Sequence, residues 1–190
     1  MKKTILIIVA CIVALVIFIG ALFVSPYNRF VKAEAEVENA QATVSTYLQR
    51  RADLIPNFVE TVKGYSDYEQ ETFTAVTEAR SKVGSANTVG EQQEASEQLD
   101  KAISIWVNAV TEAYPELKAS EQYRALQDEL AGTENRIATA RKDYNDAAKN
   151  YNVAIRKFPG SILAGIFGFE KAEYFNADES AQSVPQVNFD

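Results

Sequence analysis

The residues of this chain whose types and spacing could do chemistry are charges set inside apolar helical patterns. The stretch "LQRRADLIPNFVETVKGY", Leu48 to Tyr65, places Arg50, Arg51 and Asp53 beside Pro56 and Asn57. A second stretch, "AGTENRIATAR", carries Glu134, Asn135, Arg136 and Arg141, with Glu129 just upstream. Two carboxylates such as Glu129 and Glu134 can do acid–base work. These two stand more than a turn apart on one helix, however, and charged helices produce such pairs by chance. Neither a glycine-rich phosphate cradle nor a nucleophile elbow accompanies them. The sequence contains no histidine, which removes Ser-His-Asp and Cys-His catalysis, histidine-bearing zinc sites and the Glu-x-x-His pairs of di-iron bundles. The sole cysteine, Cys11, allows no internal disulfide. The residues therefore imply a protein that is not an enzyme, with no catalytic residue, no metal and no cofactor.

Architecture is the other use for such charges. Extending the apolar seam by four from Tyr47 puts Arg51 on the buried stripe, where a guanidinium persists only with carboxylate partners. One expectation is that Arg50 or Arg51 is answered by Glu129 or Glu134, a polar layer that sets the register of packed helices. The other is that both arginines snorkel into water. Asp53 and Pro56 read as a cap and a first-turn proline that re-aim the chain, with a kink inside one continuous helix as the alternative. Asn145 and Asn152 in "NDAAKNYN" are seven apart and share a helical face. They suit hydrogen bonds to a neighbouring helix, or a ladder for a ligand.

The elements that must position these residues are helices. From Glu121 to Phe158 a heptad seam runs through Tyr123, Leu126, Leu130, Ile137, Ala140, Tyr144, Ala147, Tyr151, Ala154 and Phe158, with Thr133 as its polar interruption. An earlier seam of Phe30, Ala33, Val37, Ala40, Val44 and Tyr47 leads into the first charged stretch, and Phe58, Val62, Tyr65, Phe73 and Val76 follow the proline. "SKVGSANTVGE" breaks the pattern. A further stripe of Leu99, Ala102, Ile103, Trp106, Ala109, Val110 and Ala113 precedes "YPELKASE", where Ser120 is a candidate N-cap. Short polar connections make these helices antiparallel neighbours in an all-α bundle.

At the start, Ile5 to Val24 run twenty residues without a charge, long enough as a helix to cross about 30 Å of hydrocarbon. The stretch is too long for a signal peptide, and "FVSPY" is a poor cleavage site. The lipid bilayer is thus the expected partner of residues 5–24. Lys2 and Lys3 slightly favour a cytoplasmic amino terminus, with the remainder extracytoplasmic and the reverse as the alternative. The net charge of −7, with every acid after the apolar stretch, gives no electrostatic footprint for nucleic acid. Domain boundaries are expected at 1–26 for the anchor, 27–158 for the bundle and 159–190 for a tail. In "FPGSILAGIFGFEKAEYF" the tail stacks aromatics around Pro159 and three glycines. It either packs across the bundle or meets lipid or a second copy, with Phe158, Phe167, Phe169 and Phe175 as candidate interface residues.

"QRRADLIPNFVETVKGY", "AYPELKASEQYRALQDELAGTENRIATARKDYNDAAKNYN", "FPGSILAGIFGF" and the ending "PQVNF" together resemble the LemA family of bacterial membrane proteins, over nearly the whole chain. The resemblance implies a short amino terminus, one transmembrane helix and an antiparallel four-helix bundle. It carries the family motif onto Arg50, Arg51, Asp53, Leu54, Pro56 and Asn57, then Glu134, Asn135, Arg136 and Ile137, then Arg141, Tyr144, Asn145, Tyr151 and Asn152. The chain departs from the pattern at Thr43, where many members carry an aromatic. The resemblance brings no active site, and it implies an amino terminus outside the cell, opposite to the charge count. The function expected is a membrane-anchored scaffold or interaction module that self-assembles as a homo-oligomer. An accessory subunit bound to a membrane enzyme or sensor is the alternative, and a carboxylate-based enzyme is the weakest reading.

Overall fold

The computed structural model describes residues 2–63 and 70–176, and among them all regular structure is helical. In chain order these are α1 (Lys2–Lys63), α2 (Gln70–Ser85), α3 (Val89–Ala113), a 3-10 turn (Pro115–Ala119), α4 (Glu121–Arg156) and α5 (Gly160–Phe167). Tyr65 and the ending "PQVNF" lie outside the described residues. The expected break falls between α2 and α3, where the threonine of "TVGE" starts α3. Thr88 Oγ1 accepts from the Glu91 N–H, and the Glu91 carboxylate accepts from the backbone N–H groups of Thr88 and Asn87 at 3.0 and 2.9 Å. Those backbone donors hold the Glu91 carboxyl below its usual range.

The chain divides into two compact units. One comprises the chain up to Asn39 with Asp146–Ala172, the other Ala40–Asn145 with the chain from Glu173 on. In the first, Phe30 and Val37 of α1 are buried, as are Tyr151, Ala154 and Ile155 of α4 and Leu163 and Ala164 of α5. Gly160 opens α5 because a Cβ there would stand 2.9 Å from both the Ala154 carbonyl oxygen and the Phe30 ring. In the second unit Val44, Leu48, Ile55, Phe58 and Val62 of α1 are buried with Val76 of α2, Leu99 and Trp106 of α3, and Tyr123, Ile137 and Tyr144 of α4. It also holds an aromatic cluster in which Phe58 meets Trp106 edge-on at 5.2 Å and lies tilted to Tyr123 at 5.3 Å.

Three sequence expectations need correction. The chain is not re-aimed at Asp53 and Pro56, because α1 continues through both as one helix. Phe158 does not extend the seam of α4; the helix ends at Arg156, and Phe158 is 82% exposed. Phe175 is not an interface residue but is buried in its own unit, its ring 5.1 Å from that of Tyr144. Among the described residues no helix is long and apolar enough to cross a membrane. The Ile5–Val24 stretch is helical throughout as part of α1, but the side chains at five of its positions, 16, 18, 19, 21 and 22, are not among those described.

Candidate functional site

A buried guanidinium forms the centre of the site. The apolar period carries Arg51 into the core of the second unit, where it is 2% exposed. Its Nη1 donates to Glu134 Oε2 at 2.6 Å, and its Nη2 donates to an Asp100 carboxylate oxygen and, at 3.4 Å, to the Ser96 carbonyl. α1 thus supplies the cation, while α3 and α4 each supply an anion. Both carboxylates are about half exposed, at 48% and 49%, so the layer is dry around the guanidinium and wet at its rim.

Arg141 of α4 borders this layer. Burial pulls its guanidinium below the ordinary range, and Arg51 adds to this, while Glu134 and Asp100 work the other way. Its Nε and Nη2 are buried without a hydrogen-bond partner. The guanidinium instead lies 5.4 Å from the centre of the Phe175 ring, a cation–π arrangement that replaces part of its hydration.

Burial also raises the Asp100 carboxyl from 3.8 to about 6, opposed by Arg51 and reinforced by the charge of Glu134. A carboxyl with a higher pKa folded than unfolded is penalised in its charged form. The penalty is absent below the unfolded value and complete above the folded one. Stability should therefore fall as pH rises from about 4 to about 6, the window set by Asp100. Urea melts across that range should show the slope, and Asp100→Asn should flatten it.

Arg50, exposed on the preceding position of α1, pairs with Glu129 at 2.6 Å. Asp53 accepts from Gln49 Nε2 at 2.9 Å and lies 3.7 Å from the Arg80 guanidinium. Pro56 and Asn57 are exposed on the same helix, and Asn57 lines an open groove of about 750 Å³ together with Arg50 and Asp53. Asn135 and Arg136 lie exposed on α4 beside a smaller groove of about 410 Å³ that also involves Thr43 and Tyr47. These motif residues are not drawn together with Arg51 and Glu134.

The two asparagines hold the backbone of the segment after α5. In the second unit Asn145 donates to the Phe175 carbonyl at 2.8 Å and accepts from the Phe175 N–H at 3.0 Å. In the first unit Asn152, itself buried, forms the same paired bonds with Ala172, both at 2.9 Å. Each side-chain amide presents one donor and one acceptor side by side, which matches the N–H and C=O of one extended residue. Asn145→Ala should therefore cost about 1–2 kcal/mol for two lost bonds. It should also remove the hydrogen-exchange protection of the Phe175 amide.

Sequence reasoning missed Asp100 and Arg80. A signal for Asp100 was present: Gln92, Ser96 and Asp100 are spaced by four, and the first two are buried polar residues at 4% and 0% exposure. That spacing is a polar row running beside the apolar stripe of α3. Arg80 gave no comparable signal. Among the described residues no group of three or more His, Cys, Asp or Glu could hold a metal ion.

Comparison with known proteins gives a consistent match. The profile of the LemA family fits residues 40–189. The magnetosome protein MamQ 1 of Paramagnetospirillum magneticum is 30% identical over 204 aligned positions, covering 94% of this chain and 74% of that protein. Magnetosome protein MamQ of Magnetospirillum gryphiswaldense is 28% identical, covering 93% and 75%. Protein LemA of Metamycoplasma hominis is 27% identical, covering 83% of this chain and 72% of its own.

Proposed function

Because the chain belongs to the LemA family, we propose that it is a non-enzymatic, membrane-anchored helical protein that works as a scaffold and assembles with copies of itself. The observation that carries this reading is that one helix, α1, holds both the uncharged stretch Ile5–Val24 and Arg51, with no loop between them. In this reading Ile5–Val24 spans the bilayer, and the helical chain after it stands on the extracytoplasmic side.

The charges that suggested chemistry are occupied by one another, which supports a structural role. Glu129 answers Arg50, and Glu134 shares Arg51 with Asp100. Both glutamates are thus taken up in ion pairs between helices.

Light scattering on the full chain in mild detergent tests the assembly. A mass of several copies is expected, whereas a single copy that co-purifies with a stoichiometric second membrane protein would favour the accessory-subunit reading. Protease protection in intact cells tests the side: cleavage within α2–α4 only after lysis would place the units in the cytoplasm.

A further inference from the structure

The apolar surface left exposed on this protein is unevenly distributed. Among the described residues beyond Val24, every large apolar side chain left exposed belongs to the unit containing α5, except Ile105. Four of them form one stripe on and beside α5: Phe158 at 82% exposure, Ile162 at 56%, Ile166 at 64% and Phe167 at 47%. Ile162 and Ile166 are spaced by four and lie on one face of α5, and Phe158 stands exposed in the turn that leads into it. The opposite face, with Gly160, Leu163 and Ala164, is buried. α5 contains no charged residue, although a short helix facing water ordinarily carries polar side chains outward.

Its position identifies the covering phase. The Phe167 ring packs edge-on against Tyr27 with centroids 4.9 Å apart, and Phe169 meets Tyr27 at 5.7 Å and Phe30 at 5.4 Å. Tyr27 stands three residues after Val24, about 4.5 Å along the helix axis from the end of the uncharged stretch. Aromatic side chains are favoured at that depth, where the headgroups begin, and an amphipathic helix lying there buries its apolar face in the acyl boundary. Arg156 and Lys157 immediately precede Phe158 in the chain, and basic residues beside an interfacial apolar face favour anionic lipid.

We propose that α5 is an interfacial membrane helix: its Phe158–Ile162–Ile166–Phe167 stripe inserts among lipid headgroups where α1 leaves the bilayer, giving the protein a second contact with the membrane. The proposal rests on the reading of Ile5–Val24 as a span, and the experiment separates the two.

Full-length protein carrying Cys11→Ala receives one added cysteine at a time, Ile162→Cys, Val13→Cys or Ile105→Cys, each labelled with an environment-sensitive fluorophore. The proteins are reconstituted in phosphatidylcholine–phosphatidylglycerol vesicles. Quenching is read with spin-labelled lipids, tagged near the headgroup or deep in the chain, and with aqueous iodide. The expected pattern is deep quenching at 13, shallow lipid quenching with iodide protection at 162, and iodide quenching alone at 105. Deep quenching at 13 with iodide quenching at 162 overturns the proposal and leaves the span standing. Protection of 162 from both iodide and lipid also overturns it, because a second copy would then cover the stripe. If position 13 escapes lipid quenching, the span fails and the proposal fails with it.

Discussion

Arg51→Ala is expected to destabilise the protein by about 3 kcal/mol, the lower end of the range for removing one partner of a buried ion pair. The lower end applies because Asp100 and Glu134 are half exposed and water can reach them once the cation is gone. Beyond the lost pairing, the substitution empties the volume of a side chain that is 2% exposed and leaves the Ser96 carbonyl without the Arg51 contact. It also brings two carboxylates together with only Arg141 nearby to offset them. Arg51→Met separates these effects, since it restores volume without charge and should recover part of the loss. Glu134→Ala should cost less, because Asp100 still holds the guanidinium, but more than the roughly 0.5 kcal/mol typical of surface changes. Urea denaturation of the three variants provides the comparison. A loss below about 1 kcal/mol for Arg51→Ala would mean that the layer does not hold the helices together.

The second large effect concerns Pro56, which sits inside α1, about two turns before its C-terminal end, against its intrinsic preference. Proline has no N–H, so the carbonyl four residues earlier, that of Ala52, loses its helical partner. Ala52 is 2% exposed, and water cannot serve its carbonyl freely. Arg80 of α2 fills the gap, donating its Nε–H to the Ala52 oxygen at 2.9 Å while its guanidinium leans toward Asp53. Arg80→Ala should therefore cost about 2 kcal/mol, the penalty of a buried carbonyl left unsatisfied. The discriminating result is a double-mutant cycle. Pro56→Ala restores a backbone donor to Ala52, so in that background Arg80→Ala should cost at least about 1 kcal/mol less. Equal costs in both backgrounds would mean that Arg80 acts only through its charge on Asp53.

These two sites also mark how far the sequence could be read. The steps of three and four that place Val44, Phe58, Ile137 and Tyr144 inside are local properties of a 3.6-residue helix, and the same count puts Arg51 among them. The pairs Arg50–Glu129 and Arg51–Glu134 were within reach for the same reason, as two polar interruptions on apolar seams. Where the period fails, so does the reading. Phe158 continues the count of α4, but the chain turns at residues 157–159, and Phe158 points to the surface. Phe175 belongs to a segment with no helical period, and its burial follows from Asn145, Tyr144 and Arg141 receiving it.

By itself, then, the sequence determined the all-helical class, the uncharged stretch that opens α1 and the place of an arginine on an apolar stripe, because each is set by neighbours within a turn or two. Only the tertiary structure decided that Asp100 joins Glu134 on Arg51 and that Arg80 stands in for the missing N–H of Pro56. It alone decided that two asparagines grip the backbone of the returning chain. Those partners are separated by 49, 28 and 20 to 30 residues. Periodicity fixes which face of a helix is buried, but the rotation and register between packed elements decide which atoms meet there.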